Sequence, residues 1–182
     1  VPPFDLYYHV GWINRYLEQA ALGYAARYGM KVLIVRPSSV YGPHDHFQGD
    51  RAHVLPALIG KALAKETPFV VWGTQDVVRD FIFVNDLVDD VLALLDQECF
   101  NEPFNIAQGV PVTIGEAAGV VLDVCGASGK PVFDSTRPVA IPYRTQCIAK
   151  LEKRLGPRRR TPLRTGLLKT VDWVRGEREM PA

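Results

Sequence analysis

The chain has 182 residues, 47% of them apolar and 23% charged, with a formal net charge of +1. This composition suits an ordinary globular domain with a sizeable core, and it excludes a strong cationic field directed at nucleic acid or an anionic membrane. No apolar run approaches the roughly 20 residues that cross a bilayer, and Cys99, Cys125 and Cys147 are too widely spaced for a metal-binding pair, so they read as reduced thiols of a cytoplasmic protein.

Val1-Pro2-Pro3-Phe4-Asp5 has neither the basic start nor the apolar stretch of a signal peptide. From Val10 to Arg27, Ile13, Leu17, Ala20, Ala21 and Tyr24 recur at three- and four-residue spacing, which predicts a helix ended by Gly29. Lys31–Arg36 has a continuous apolar centre and reads as a buried parallel strand stopped by Pro37. A turn-rich loop, Tyr41–His46, follows. A helix is expected from Ala52 to Ala64, then a strand at Phe69–Trp72 and another at Phe81–Val84. Asn85 or Asp86 is placed to cap a helix carrying Leu87, Val88, Val91, Leu92 and Leu95. Phe104–Ile106 reads as a strand. Thr113 and Glu116 match a capping box ahead of a further helix, and Thr161-Pro162 combines a cap with a first-turn proline for the last one. Arg158-Arg159-Arg160 reads as a solvated loop.

Strands alternating with helices predict an α/β fold. A soft boundary falls at residues 43–50. No GxGxxG turn occurs to cradle a pyrophosphate. Gly126–Pro131 superficially matches a phosphate loop, but Pro131 stands where a hydroxyl should bind magnesium, so it reads as a helix-ending loop.

Several segments carry a family resemblance. Arg36-Pro37-Ser38-Ser39-Val40-Tyr41-Gly42-Pro43 resembles the RPxNVYGP segment of extended short-chain dehydrogenase/reductases. Val71-Trp72-Gly73, followed by Arg79–Asp86, resembles their VxG and RDFIxVxD segments, and Phe104–Ala107 with Val112–Ile114 resembles a third. Pro142-Tyr143-Arg144 and Leu163–Arg175 complete the series in the same order. The chain is thus identified as a member of the NAD(P)-dependent epimerase/dehydratase family. Tyr41–Phe47 with His53–Leu58 is most similar to its GDP-fucose synthase-like branch.

The resemblance implies the C-terminal part of a Rossmann-type parallel sheet plus a small α/β substrate lobe. Residues 1–45 would end the dinucleotide-binding domain, with its first part absent, and 46–182 would be mostly substrate lobe with interleaved sheet elements. It implies NAD or NADP as cofactor, a nucleotide sugar as substrate and a homodimer through the first helix. It assigns Pro37 and Ser38 to the nicotinamide, and Ser39, Val54, Trp72, Arg79 and Arg144 to the substrate, the two arginines gripping its diphosphate. The plain alternatives are a surface ion pair for Arg79 and a core position for Trp72. His44 aligns with a general acid of the GDP-fucose synthase-like branch. With His46 and His53 it lacks the companion ligands of a metal site. The family uses a Tyr and a Lys four residues later on one helix face. In the register set by Gly11, Arg15–Glu18 and Gly29, Val10 and Asn14 take those positions. Tyr8 lies two residues early, roughly 200° around the helix, and can serve only if the segment before Gly11 is not helical. The chain alone is therefore expected to be inactive, with a non-catalytic ligand- or partner-binding module as the alternative.

Overall fold

The computed structural model describes residues 5–47, 52–136 and 141–179. In chain order, a short 3-10 turn (Asp5–Tyr7) leads into α1 (Tyr8–Tyr28), then β1 (Ile34–Pro37), β2 (Ser39–Tyr41), α2 (Val54–Leu63), β3 (Val70–Trp72), β4 (Val78–Phe83) and α3 (Val84–Asp96). β5 (Pro103–Ile106), β6 (Pro111–Thr113), α4 (Ile114–Cys125), β7 (Val132–Asp134), β8 (Tyr143–Arg144), α5 (Ala149–Leu155) and α6 (Leu163–Glu179) complete the fold. The architecture is α/β, as expected. β1 pairs with β5, β2 with β4, β3 with β7 and β4 with β8, all parallel; β6 joins β4 antiparallel.

β4 organises the interior. Side chains alternate across a strand, so Phe81 and Phe83 enter one core with α2, α4 and α6 while Ile82 enters a second with Leu94, Phe104 and Leu151. The larger core buries Leu55, Leu58 and Ile59 of α2 against Val121 of α4 and Leu167 and Val171 of α6. Removing this apolar surface from water is the main stabilising term. Gly166 of α6 crosses Tyr41 with no room for a side chain: a Cβ there would sit 2.2 Å from the Tyr41 hydroxyl and 3.1 Å from Phe83. Gly166→Ala should therefore destabilise the fold by about 1–3 kcal/mol despite alanine's better helix propensity. Urea unfolding checks this, and Tyr41→Phe should restore part of the loss.

Gly29 ends α1 in the left-handed region at φ 68°, and Thr113 and Glu116 form both halves of the capping box. Other expectations need correction. Asn85 and Asp86 do not cap α3: it starts at Val84, and Asp86 instead accepts from the Thr161 amide (2.7 Å) and hydroxyl (2.8 Å). Thr161 is thereby occupied, and the Pro162 carbonyl accepts the first bond of α6, from Gly166. The 158–160 run is not a solvated loop. Arg158 and Arg160 both bond the fully buried Asp90 of α3, at 2.9 and 2.6 Å. β1 is buried only at Ile34; Arg36 turns out to Glu18 of α1 in a two-pronged ion pair. That pair anchors a helix in which only Ala25 is buried.

Candidate functional site

Arg79 shares the face of β4 that carries Phe81 and Phe83. It is only 8% exposed, and its Nη1 donates to the carbonyls of Val78 and Ile141, both at 2.7 Å. These bonds set the direction of the guanidinium. β8 runs parallel to β4 in a register that pairs Arg79 with Arg144, and Arg144 Nη2 donates to Ser39 Oγ at 3.1 Å. Burial, and then the positive charge of Arg144, hold the Arg79 pKa below its ordinary value. Among the described residues no carboxylate forms an ion pair with either arginine. Two guanidiniums held side by side without a counter-charge favour an anion with oxygens to spare, such as a diphosphate.

Both arginines line a cleft of about 440 Å³ together with Tyr7, Ser38, Ser39, His53 and Val54. Five residues assigned from the resemblance thus meet: Ser38, Ser39, Val54, Arg79 and Arg144. Val54 also lines a second, apolar groove of about 420 Å³, together with Lys61 and Trp72. Trp72 is 59% exposed, so it is not a core residue, and Lys61 Nζ lies 5.8 Å from its ring centre. The cleft and the groove share one wall.

Other assigned residues lie elsewhere. Pro37 does not line the cleft; its carbonyl accepts from Gln146 at 3.2 Å. His44, at φ 66°, packs its ring 4.6 Å from that of Trp173, which also faces Phe47. The histidine lining the cleft is His53, just before α2, with Nδ1 4.0 Å from Asp45 Oδ1. Tyr8 is the first residue of α1, so the condition for its serving is not met, and its ring packs edge-on against His9 and Trp12. Tyr7, in the preceding turn, faces the cleft instead. Val10 is exposed, and Asn14 lines a separate hollow with Glu18 and Arg36. Periodicity could not have singled out Tyr7, because its direction depends on where the helix begins. His53 was legible only as part of the His53–Leu58 resemblance. No described set of His, Cys, Asp or Glu side chains could hold a metal ion, and no described helix is long and apolar enough to cross a membrane.

A crevice where parallel strands change partners is where open α/β sheets bind ligands, which places the chain in the class of Rossmann-like α/β ligand-binding folds. More particularly, residues 13–107 match the NAD dependent epimerase/dehydratase family, and the chain belongs to it. It is 36% identical over 154 residues to a probable GDP-L-fucose synthase 1 of Oryza sativa subsp. japonica, covering 82% of this chain and 47% of that protein. Over 160 residues it is 36% identical to a dTDP-4-dehydro-6-deoxy-D-allose reductase of Streptomyces bikiniensis, covering 88% and 48%. The UDP-glucose 4-epimerase of Thermotoga maritima, solved with UDP-glucose, superposes with a TM-score of 0.80 at 27% identity, covering 94% of this chain and 54% of that one. The chain spans about half the length of the curated relatives it matches.

Proposed function

We propose that this chain forms the nucleotide-sugar-binding part of an NAD(P)-dependent epimerase, dehydratase or reductase. The observation that carries the reading is the in-register pairing of Arg79 with Arg144 at one cleft. The relatives are named for GDP-, dTDP- and UDP-sugar chemistry, and the diphosphate is what those ligands share. Two guanidinium forks at one cleft suit it, with the base directed along Val54 toward Trp72 and the sugar toward Ser38 and Ser39. Residues 1–45 end the dinucleotide-binding part and 46–182 supply most of the substrate lobe.

The sequence has no glycine-rich turn for a pyrophosphate, so these residues fit only the nicotinamide end of NAD(P), through Ser38. When bound, the cofactor supplies hydride exchange. Among the described groups that line the cleft, Tyr7 and His53 can move a proton. A homodimer through α1 accords with its exposed Trp12, Ile13, Tyr16 and Leu17.

Calorimetric titration with GDP-fucose, dTDP-glucose and UDP-glucose is expected to show saturable binding of at least one. A folded sample that binds none overturns the reading. A second reading, a non-catalytic binding module, draws on Val10 and Asn14, which provide neither phenol nor ammonium. Turnover of a nucleotide sugar by this chain joined to a glycine-rich dinucleotide-binding half would exclude it.

A further inference from the structure

Behind Arg79, on the opposite face of β4, stands Asp80, only 1% exposed. Among the described residues no lysine or arginine forms an ion pair with it. Its Oδ1 accepts from the Gln108 amide at 2.8 Å and the Ser38 hydroxyl at 3.5 Å, and its Oδ2 accepts from the Gly109 amide at 3.1 Å.

These partners meet at a junction. β1 pairs with β5, whereas β2, one residue further on, pairs with β4. Ser38 is the residue between, and its own amide donates to Ile106 at 2.9 Å. Gln108 and Gly109 follow the end of β5, beyond its ladder with β1. The buried Asp80 carboxylate needs donors, and these two amides supply one to each of its oxygens. Gly109 sits at φ 79°, and a Cβ there would come within 2.8 Å of Ile148 Cδ1, so the turn is fixed from its other side as well.

We propose that Asp80 is a positioning residue for the cleft: by holding Ser38 and the Gln108–Gly109 turn at the strand junction, it fixes the distance from Ser38 and Ser39 to the arginine pair. This rests on the reading of the cleft as a nucleotide-sugar site. The geometry calls for a carboxylate. Asparagine offers a single acceptor oxygen, and its NH2 would face an N–H.

Burial raises the Asp80 carboxyl above its ordinary range, against the bonds from Gln108, Gly109 and Ser38 and the charge of Arg160. Arg160, held by Asp90 of α3, is the cation whose charge reaches it. On acidification Asp80 therefore takes a proton before an exposed aspartate does. A protonated oxygen no longer accepts well from the amide opposite it, so the turn loosens as pH falls.

The test compares the wild-type chain with Asp80→Asn, using GDP-fucose as probe and amide NMR as a second readout. In folded Asp80→Asn the affinity is expected to fall about 10-fold, with faster hydrogen exchange at Gln108 and Gly109 and unchanged exchange in the Thr113 capping box. In the wild type, the Gly109 amide shift and the affinity should change together on acidification. In Asp80→Asn that joint step is lost. Unchanged affinity or unchanged exchange in the variant overturns the proposal. If the variant does not fold, the wild-type titration decides: a Gly109 amide that fails to follow a carboxyl group overturns it. Failure of the wild type to bind GDP-fucose, dTDP-glucose and UDP-glucose would sink the reading of the cleft, and the amide titration would still judge the hydrogen bonds of Asp80.

Discussion

Arg144→Ala is expected to weaken nucleotide-sugar binding about 10- to 100-fold, the range for losing one charge-assisted hydrogen-bonded contact. Thermal stability should stay within about 0.5 kcal/mol, as for most surface substitutions. Arg144 is exposed, and its one side-chain bond described here goes to Ser39. On the proposed reading, removing it leaves Arg79 to face the diphosphate without its neighbouring guanidinium. Arg79 tests the same idea from the buried side. Because its Nη1 ties β4 to Ile141, truncation would disturb the strand, so Arg79→Lys is the better substitution: it keeps the charge and discards the fork. Calorimetry on both variants, with unfolding curves alongside, separates lost contact from lost fold. Wild-type affinity in Arg144→Ala would show that the arginine pair does not read phosphate.

Asp90→Ala should be the most damaging single change to stability, by about 3–5 kcal/mol, because it strands buried positive charge. At roughly 2–4 °C per kcal/mol for a chain of this size, the melting temperature should fall on the order of 10 °C. Asp90 is fully buried, and the Arg160 side chain is 10% exposed. Together with Asp86 and Thr161 these residues bind the segment before α6 onto α3. The exposed Arg164–Asp123 pair is the control: Asp123→Ala there should cost well under about 1 kcal/mol. Calorimetric melting of both variants decides. Equal losses would mean that burial does not set the value of the Asp90 pairs.

Much of the fold was legible because its signals are local. The periodicity of α1, the left-handed Gly29 and the Thr113–Glu116 box depend on residues within a turn or two. β2, β6, β7 and β8 are two or three residues long, too short to show alternation, and each exists only because a distant strand presents its edge. α5 was missed as well. Arg158 and Arg160 read as solvated because nothing nearby in sequence announces Asp90. Asp86 read as a cap because its true partner, Thr161, belongs to another element. The site divides the same way. Ser38, Ser39, Val54, Arg79 and Arg144 lie in motifs whose order carries the family resemblance, and the fold gathers them into one cleft. His44 and Trp173 meet through tertiary packing, whereas the facing of Tyr7 follows from where α1 starts, and neither has a local signature.

The ladders also make assembly depend on contacts distant along the chain. No strand described here pairs with its neighbour along the chain: β1 must wait for β5, β2 for β4 and β3 for β7. Closing such long loops spends entropy before any contact returns it, so chains of this topology fold slowly. Arg79 meets Arg144 only when β8, the last strand, docks on β4. The two positive charges therefore come together only through this long-range pairing, and a ligand that needs both has no site until it has formed.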